Sequence, residues 1–187
     1  MKHRPLPWAV LLLGLGAALL GAQPAWLHAK ATLAQLLLER AWAARGADGS
    51  TPPPWPGADM RPVARLQLPA QGSDLVVLAG DSGRTLAFGP GWAEASTAPG
   101  AAGTVVLSAH RDTHFAVLRA VRPGDPVLLE SAGARRAYRV VATEIVDSRS
   151  TRIAVDERDQ LLLVTCWPFD APTAGGPLRF VATALPE

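Results

Sequence analysis

The chain has 187 residues with a formal net charge of +2 and a single cysteine. The balanced charge leaves no nucleic-acid footprint, and one cysteine excludes an intramolecular disulfide. One cysteine and four histidines do not supply a zinc set of the usual kinds, and no phosphate-cradling glycine motif is present.

Met1-Lys2-His3-Arg4 is a short basic head, followed by Trp8 to Ala22, a run without charge. Extended to Ala29, with Trp8 and Trp26 as interfacial anchors, it reaches the roughly 20 apolar residues of a spanning helix. Residues 1–29 are therefore expected to be an uncleaved signal-anchor that keeps the head in the cytoplasm and sends the rest outward. A helix is expected from Ala29 to Ala44, on the spacing of Leu33, Leu36, Leu37 and Arg40. It acts as a continuation of the anchor, as a lid on the domain, or as a plain amphipathic spacer. Gly46 to Gly57 is a Pro-rich linker, so residues 30–57 are read as juxtamembrane helix and linker, and 58–187 as one folded domain.

Within that domain Val63, Arg65 and Gln67 alternate with Ala64, Leu66 and Leu68, the pattern of a half-buried strand. Asp74 to Leu78 is a second strand, and Thr85 to Phe88 a third candidate closed by Gly89-Pro90-Gly91. Ala95 to Gly103 reads as loop, and Thr104 to Ser108 as a buried strand that runs into Ala109-His110-Arg111-Asp112. Phe115, Leu118 and Val121 fit one or two helical turns before the Arg122-Pro123-Gly124-Asp125 turn. Val127 to Glu130 is a strand, as is Arg135 to Val146, with Tyr138, Val140 and Ala142 on one side. Asp147 to Asp159 is irregular, Leu161 to Cys166 is an apolar strand stopped by Pro168, and Leu178 to Ala184 is the last. Eight short strands and little helix predict an all-β fold, a sandwich or a closed barrel.

Two of these strands end at residues capable of chemistry, His110 and Cys166. A thiolate that attacks a carbonyl and an imidazolium that protonates the leaving amine form the minimum for acyl transfer. The oxyanion needs a donor. Arg179, thirteen residues past Cys166 at the start of the next strand, suits that task, because a hairpin sets the two side by side. Asp112 either orients His110 or caps the following turn. His114 is a rim or structural residue, and Asp170 a turn residue. Trp167 either lines the substrate groove or packs on the barrel.

Four segments together resemble the sortases, membrane-anchored cysteine transpeptidases. They are Ala64-Arg65-Leu66-Gln67-Leu68-Pro69, Ser108 to Phe115, Leu162-Leu163-Val164-Thr165-Cys166 and Gly176-Pro177-Leu178-Arg179-Phe180, in the family's order. His110-Arg-Asp-Thr-His-Phe115 and Thr165-Cys-Trp-Pro-Phe-Asp170 are most similar to the proteobacterial subgroup. The resemblance implies a closed eight-stranded β-barrel with short helices and a His, Cys and Arg at one rim. It implies that Cys166 cleaves a Leu-Pro-x-Thr-Gly-like C-terminal sorting signal, with His110 as acid and base and Arg179 as donor. Thr165 is expected beside the substrate. An amine acceptor then resolves the thioacyl enzyme, and no cofactor is required. The implied partners are a protein bearing the signal, the amine, and a membrane reached through the N-terminal helix, with no nucleic acid. Leu162 stands where the family carries a threonine, and the loop from Asp147 to Gln160 is short; both bear on substrate choice. Two other readings share the same residues: a cysteine hydrolase with water as acceptor, and a non-catalytic peptide-binding barrel with Cys166 inert.

Overall fold

The computed structural model describes residues 32–46, 50–173 and 175–187; the signal-anchor expected over residues 1–29 lies outside them. Among the described residues no helix is long and apolar enough to cross a membrane. The chain divides into two units, Met1–Ala34 and Gln35–Glu187. The second begins well ahead of the boundary expected at residue 58.

The reason lies in helix α1, residues 32–43, of which 35–43 belong to the second unit. Leu38 and Trp42 are buried against Met60, Val76 and Leu78, flanked by Trp55 and Phe88. This apolar cluster fastens helix and linker to the outside of the sheet. Leu33 and Leu36, which belong to the sequence pattern, are exposed instead.

The strands are β1 (Pro62–Leu68), β2 (Ser73–Ala79), β3 (Gly91–Trp92), β4 (Thr104–Ser108), β5 (Pro126–Ser131), β6 (Arg135–Asp147), β7 (Gln160–Cys166) and β8 (Leu178–Pro186). They close a barrel in the order β1-β2-β3-β4-β7-β8-β6-β5, sealed by β5 on β1. Two pairings are parallel, β2 with β3 and β4 with β7. Inside the barrel lie Leu66, Leu107, Phe115, Tyr138, Leu161 and Leu163. A second apolar layer, Val106, Leu162, Val164 and Val181, covers the outer face of β4, β7 and β8. β7 is thus covered on both faces, which is why it reads as a continuous apolar run rather than an alternating one.

Two expectations are corrected. Thr85 to Phe88 is not a strand: Gly83–Leu86 forms a short helix, α2, whose Thr85 amide is capped by the Ser82 hydroxyl. The third strand is the two-residue β3 instead. In β6 the expected alternation holds through Tyr138 and Val140, then a bulge between Val140 and Ala142 shifts the register and Ala142 is exposed.

Candidate active site

Because β4 and β7 run parallel, with Ser108 opposite Val164, their carboxyl ends reach the same rim of the barrel. β8 returns antiparallel to β7, and Arg179 is the register partner of Cys166. Three residues distant in sequence are thereby delivered to one place. His110, Cys166 and Arg179 line a single cleft of about 360 Å³, together with Ser108, Ala109, Val164 and Thr165 and, from the β2–β3 connection, Asp81 and Leu86. Cys166 is a free thiol and half-buried.

Thr165 is buried, with its side chain turned away from solvent. Its hydroxyl donates to the Ala109 carbonyl at 2.7 Å, and the Ala109 amide donates to the Val164 carbonyl. The residue before the cysteine thus holds the residue before the histidine. Thr165→Val keeps the shape but leaves the Ala109 carbonyl unpaired, so it is expected to cost about 1–2 kcal/mol in urea denaturation. A loss below about 0.3 kcal/mol would show that the bond contributes nothing net.

His110 is exposed, its carbonyl accepting from the Phe115 amide at 3.0 Å. Asp112 makes no hydrogen bond to it among the described residues; the carboxylate accepts from Arg111 Nε at 3.1 Å. Arg111 is the residue that sequence reasoning missed. Its guanidinium is buried and donates to the carbonyls of Pro168 at 2.6 Å, Ala171 at 3.1 Å and Thr173 at 2.6 Å. It ties the segment after His110 to the loop that joins Cys166 to Arg179. Its position inside the His110–Phe115 segment was the only signal available.

Arg179 Nη1 donates to the carbonyls of Gly176 and Leu178, which leaves Nη2 and Nε without a partner among the described residues. Arg179 and Val164 also line a more apolar groove of about 430 Å³, with Val146, Ile153 and Val181. The cleft therefore continues across the outer face of β7 and β8. Trp167 lies in neither cavity. Its ring packs edge-on against Phe169 and stacks on Phe180, and its amide donates to the Leu178 carbonyl. Asp170 pairs with Arg119 at 2.7 Å.

His114 is half-buried, its Nε2 lying 3.4 Å from Gln35 Nε2. Burial, and then the charge of His110, hold it below the usual imidazole range. Between that depressed value and the ordinary value of about 6.5, the unfolded chain binds more protons than the native one, so stability falls as pH falls. The urea midpoint is expected to drop as pH is lowered through this window, and to drop less in His114→Asn. Equal pH dependence in both proteins would contradict that assignment.

Among the described residues no cluster of three or more His, Cys, Asp or Glu is arranged to hold a metal ion.

A family model described as the sortase domain matches residues 66–187. Sortase D of Bacillus subtilis (strain 168) is 32% identical over 118 residues, which is 62% of this chain and 59% of that protein. The chain thus aligns to little more than half the length of that relative. Among solved structures, sortase A from Corynebacterium diphtheriae is similar with a TM-score of 0.62 and 26% identity, over 70% of this chain and 63% of that one. Sortase C-1 from Actinomyces oris is similar with a TM-score of 0.57 and 27% identity, over 67% of this chain and 74% of that one.

Proposed function

The chain belongs to the sortase family, and on that premise we propose that it is a cysteine transpeptidase acting on a C-terminal sorting signal of the Leu-Pro-x-Thr-Gly type. The observation that carries this reading is the shared cleft: the ends of β4 and β7 and the start of β8 bring His110, Cys166 and Arg179 together.

Cys166 attacks the threonine carbonyl of the signal. The charge that develops on the oxygen meets the Arg179 donors left free by the loop. His110 protonates the departing amine, the C–N bond breaks, and a thioester to Cys166 remains. An amine acceptor then attacks the thioester, gives its proton to His110, and releases the thiolate. Thr165 positions the two strand ends rather than contacting the peptide, because its hydroxyl is held by Ala109. The apolar residues that precede the scissile bond lie in the groove between Val146, Ile153, Val164 and Val181.

The likeness of His110–Phe115 and Thr165–Asp170 to the proteobacterial sortases supports placement in that subgroup. The basic head and apolar run of residues 1–29 support a single-pass anchor in the cytoplasmic membrane with the barrel facing outward. Fractionation tests that location: the full-length chain is expected in the membrane fraction, and a soluble product cut near Ala22 would contradict it.

The activity is tested by incubating the full chain with a Leu-Pro-x-Thr-Gly peptide and an excess of a primary amine, and following products by liquid chromatography and mass spectrometry. The expected product is the peptide truncated after threonine and amidated by the added amine. The truncated free acid alone, at every amine concentration, would replace transpeptidation with hydrolysis.

A further inference from the structure

The cleft has two flanks of opposite charge. In barrel order its lining runs from the β2–β3 connection through β4 and β7 to β8. Arg179 therefore stands on the β8 flank, where the apolar groove continues, and Asp81 stands on the other, beyond His110.

Asp81 is held there by close packing of the backbone. Gly80 takes a positive φ of 79° at the end of β2. Gly91, opposite Ser108 in the β3–β4 pair, packs so tightly on this turn that a Cβ on it would lie 2.3 Å from the Gly80 carbonyl oxygen and 3.0 Å from the Asp81 Cα. The turn is thus seated one strand away from the segment that delivers His110. Asp81 is also the one described aspartate whose carboxylate makes neither a hydrogen bond nor an ion pair; every other accepts one from an arginine or a glutamine. An exposed, unpaired carboxylate, on a backbone seated at the edge of a cleft that holds a nucleophile and a base, is suited to a cation.

We propose that Asp81 is the docking group for the acyl acceptor, and that the acceptor is a primary amine presented as its ammonium ion. The inference rests on the transpeptidase reading. The acyl chain, running over Arg179 into the apolar groove, leaves the His110 flank open. The ammonium pairs with Asp81 beside the imidazole that gave its proton to the first leaving amine. One ammonium proton is lost to solvent, the free amine forms the C–N bond to the thioester carbonyl and passes its second proton to His110, and the C–S bond breaks to return the Cys166 thiolate. The two protons shed by the ammonium thus end on water and on His110, so charge and protons balance.

The test uses the full chain, thioacylated by a Leu-Pro-x-Thr-Gly peptide, with two acceptors. Nα-acetyl-lysinamide is cationic at neutral pH, and hydroxylamine is uncharged. Asp81→Asn is expected to raise the KM for acetyl-lysinamide about tenfold, the loss of one charge-assisted contact, with little change in the reaction with hydroxylamine. Asp81→Glu, which keeps the charge, is expected to recover most of the difference. Equal effects on both acceptors, or none on either, would overturn the assignment of Asp81 and leave the transpeptidase reading standing. Failure of the wild-type chain to form the thioacyl enzyme would overturn that reading, and the assignment with it.

Discussion

Cys166→Ala is expected to abolish thioacyl formation, and His110→Ala to slow it by about 10³-fold while leaving the fold intact. The two losses differ in kind. Without the thiol there is no atom to carry the acyl group. Without the imidazole the leaving amine departs unprotonated, and the cost is that of general acid catalysis. Both side chains stand at strand ends in the cleft rather than inside the barrel, so neither substitution opens a core cavity. The check is single-turnover acylation together with the urea midpoint of each variant. An alanine variant at Cys166 that still cleaves the peptide would remove the nucleophile assignment. A His110 variant within about threefold of wild type would remove the acid, since general acid catalysis is worth at least about 10²-fold.

Arg111→Met is expected to cost about 2–3 kcal/mol and to loosen the loop between Cys166 and Arg179. Three carbonyls of that loop lose a charged donor, each such bond being worth roughly 1.5–3 kcal/mol. The sum is not realised, because Pro168 and Thr173 are exposed and their carbonyls regain water. The buried guanidinium also carried a desolvation cost that methionine does not. Arg111→Lys keeps the charge, but one ammonium does not span the three carbonyls as the planar fork does, so it recovers only part of the loss. Urea denaturation gives the stability, and hydrogen exchange over residues 168–177 gives the loop. Unaltered exchange there, with a loss under about 0.5 kcal/mol, would show that the loop holds itself without Arg111.

These two predictions differ in how far a reader of the bare sequence reaches them. His110 and Cys166 are visible because each ends an apolar strand, and the strands are visible because one or both faces are covered. β7 shows this best: Leu161 and Leu163 fill the barrel while Leu162 and Val164 belong to the outer apolar layer. That both ends share a rim is not visible, since it depends on parallel pairing of strands more than fifty residues apart. Arg111 is legible as a letter in a motif but not as a tie. Its partners are backbone carbonyls, which any residue supplies and which leave no mark on composition. Asp81 is hidden for a related reason: its place depends on the contact between Gly80 and Gly91 across a connection whose apolar residues, Leu86 and Phe88, imitate a strand. The serine cap that makes this segment helical is a single side chain, and the true third strand is too short to carry a period. α1 is legible in the sequence as a helix, but its buried face is not, because Leu33, Leu36 and Leu38 are equivalent until the sheet chooses among them.

The most direct measurement is the intact mass of the full chain after brief incubation with a Leu-Pro-x-Thr-Gly peptide, followed by acid quenching. The expected result is a mass gain equal to the peptide through its threonine, less one water, lost on later treatment with hydroxylamine and absent in Cys166→Ala. An unchanged mass, in a chain whose Cys166 also resists alkylation, would contradict a live nucleophile at that rim and leave a barrel that binds without reacting.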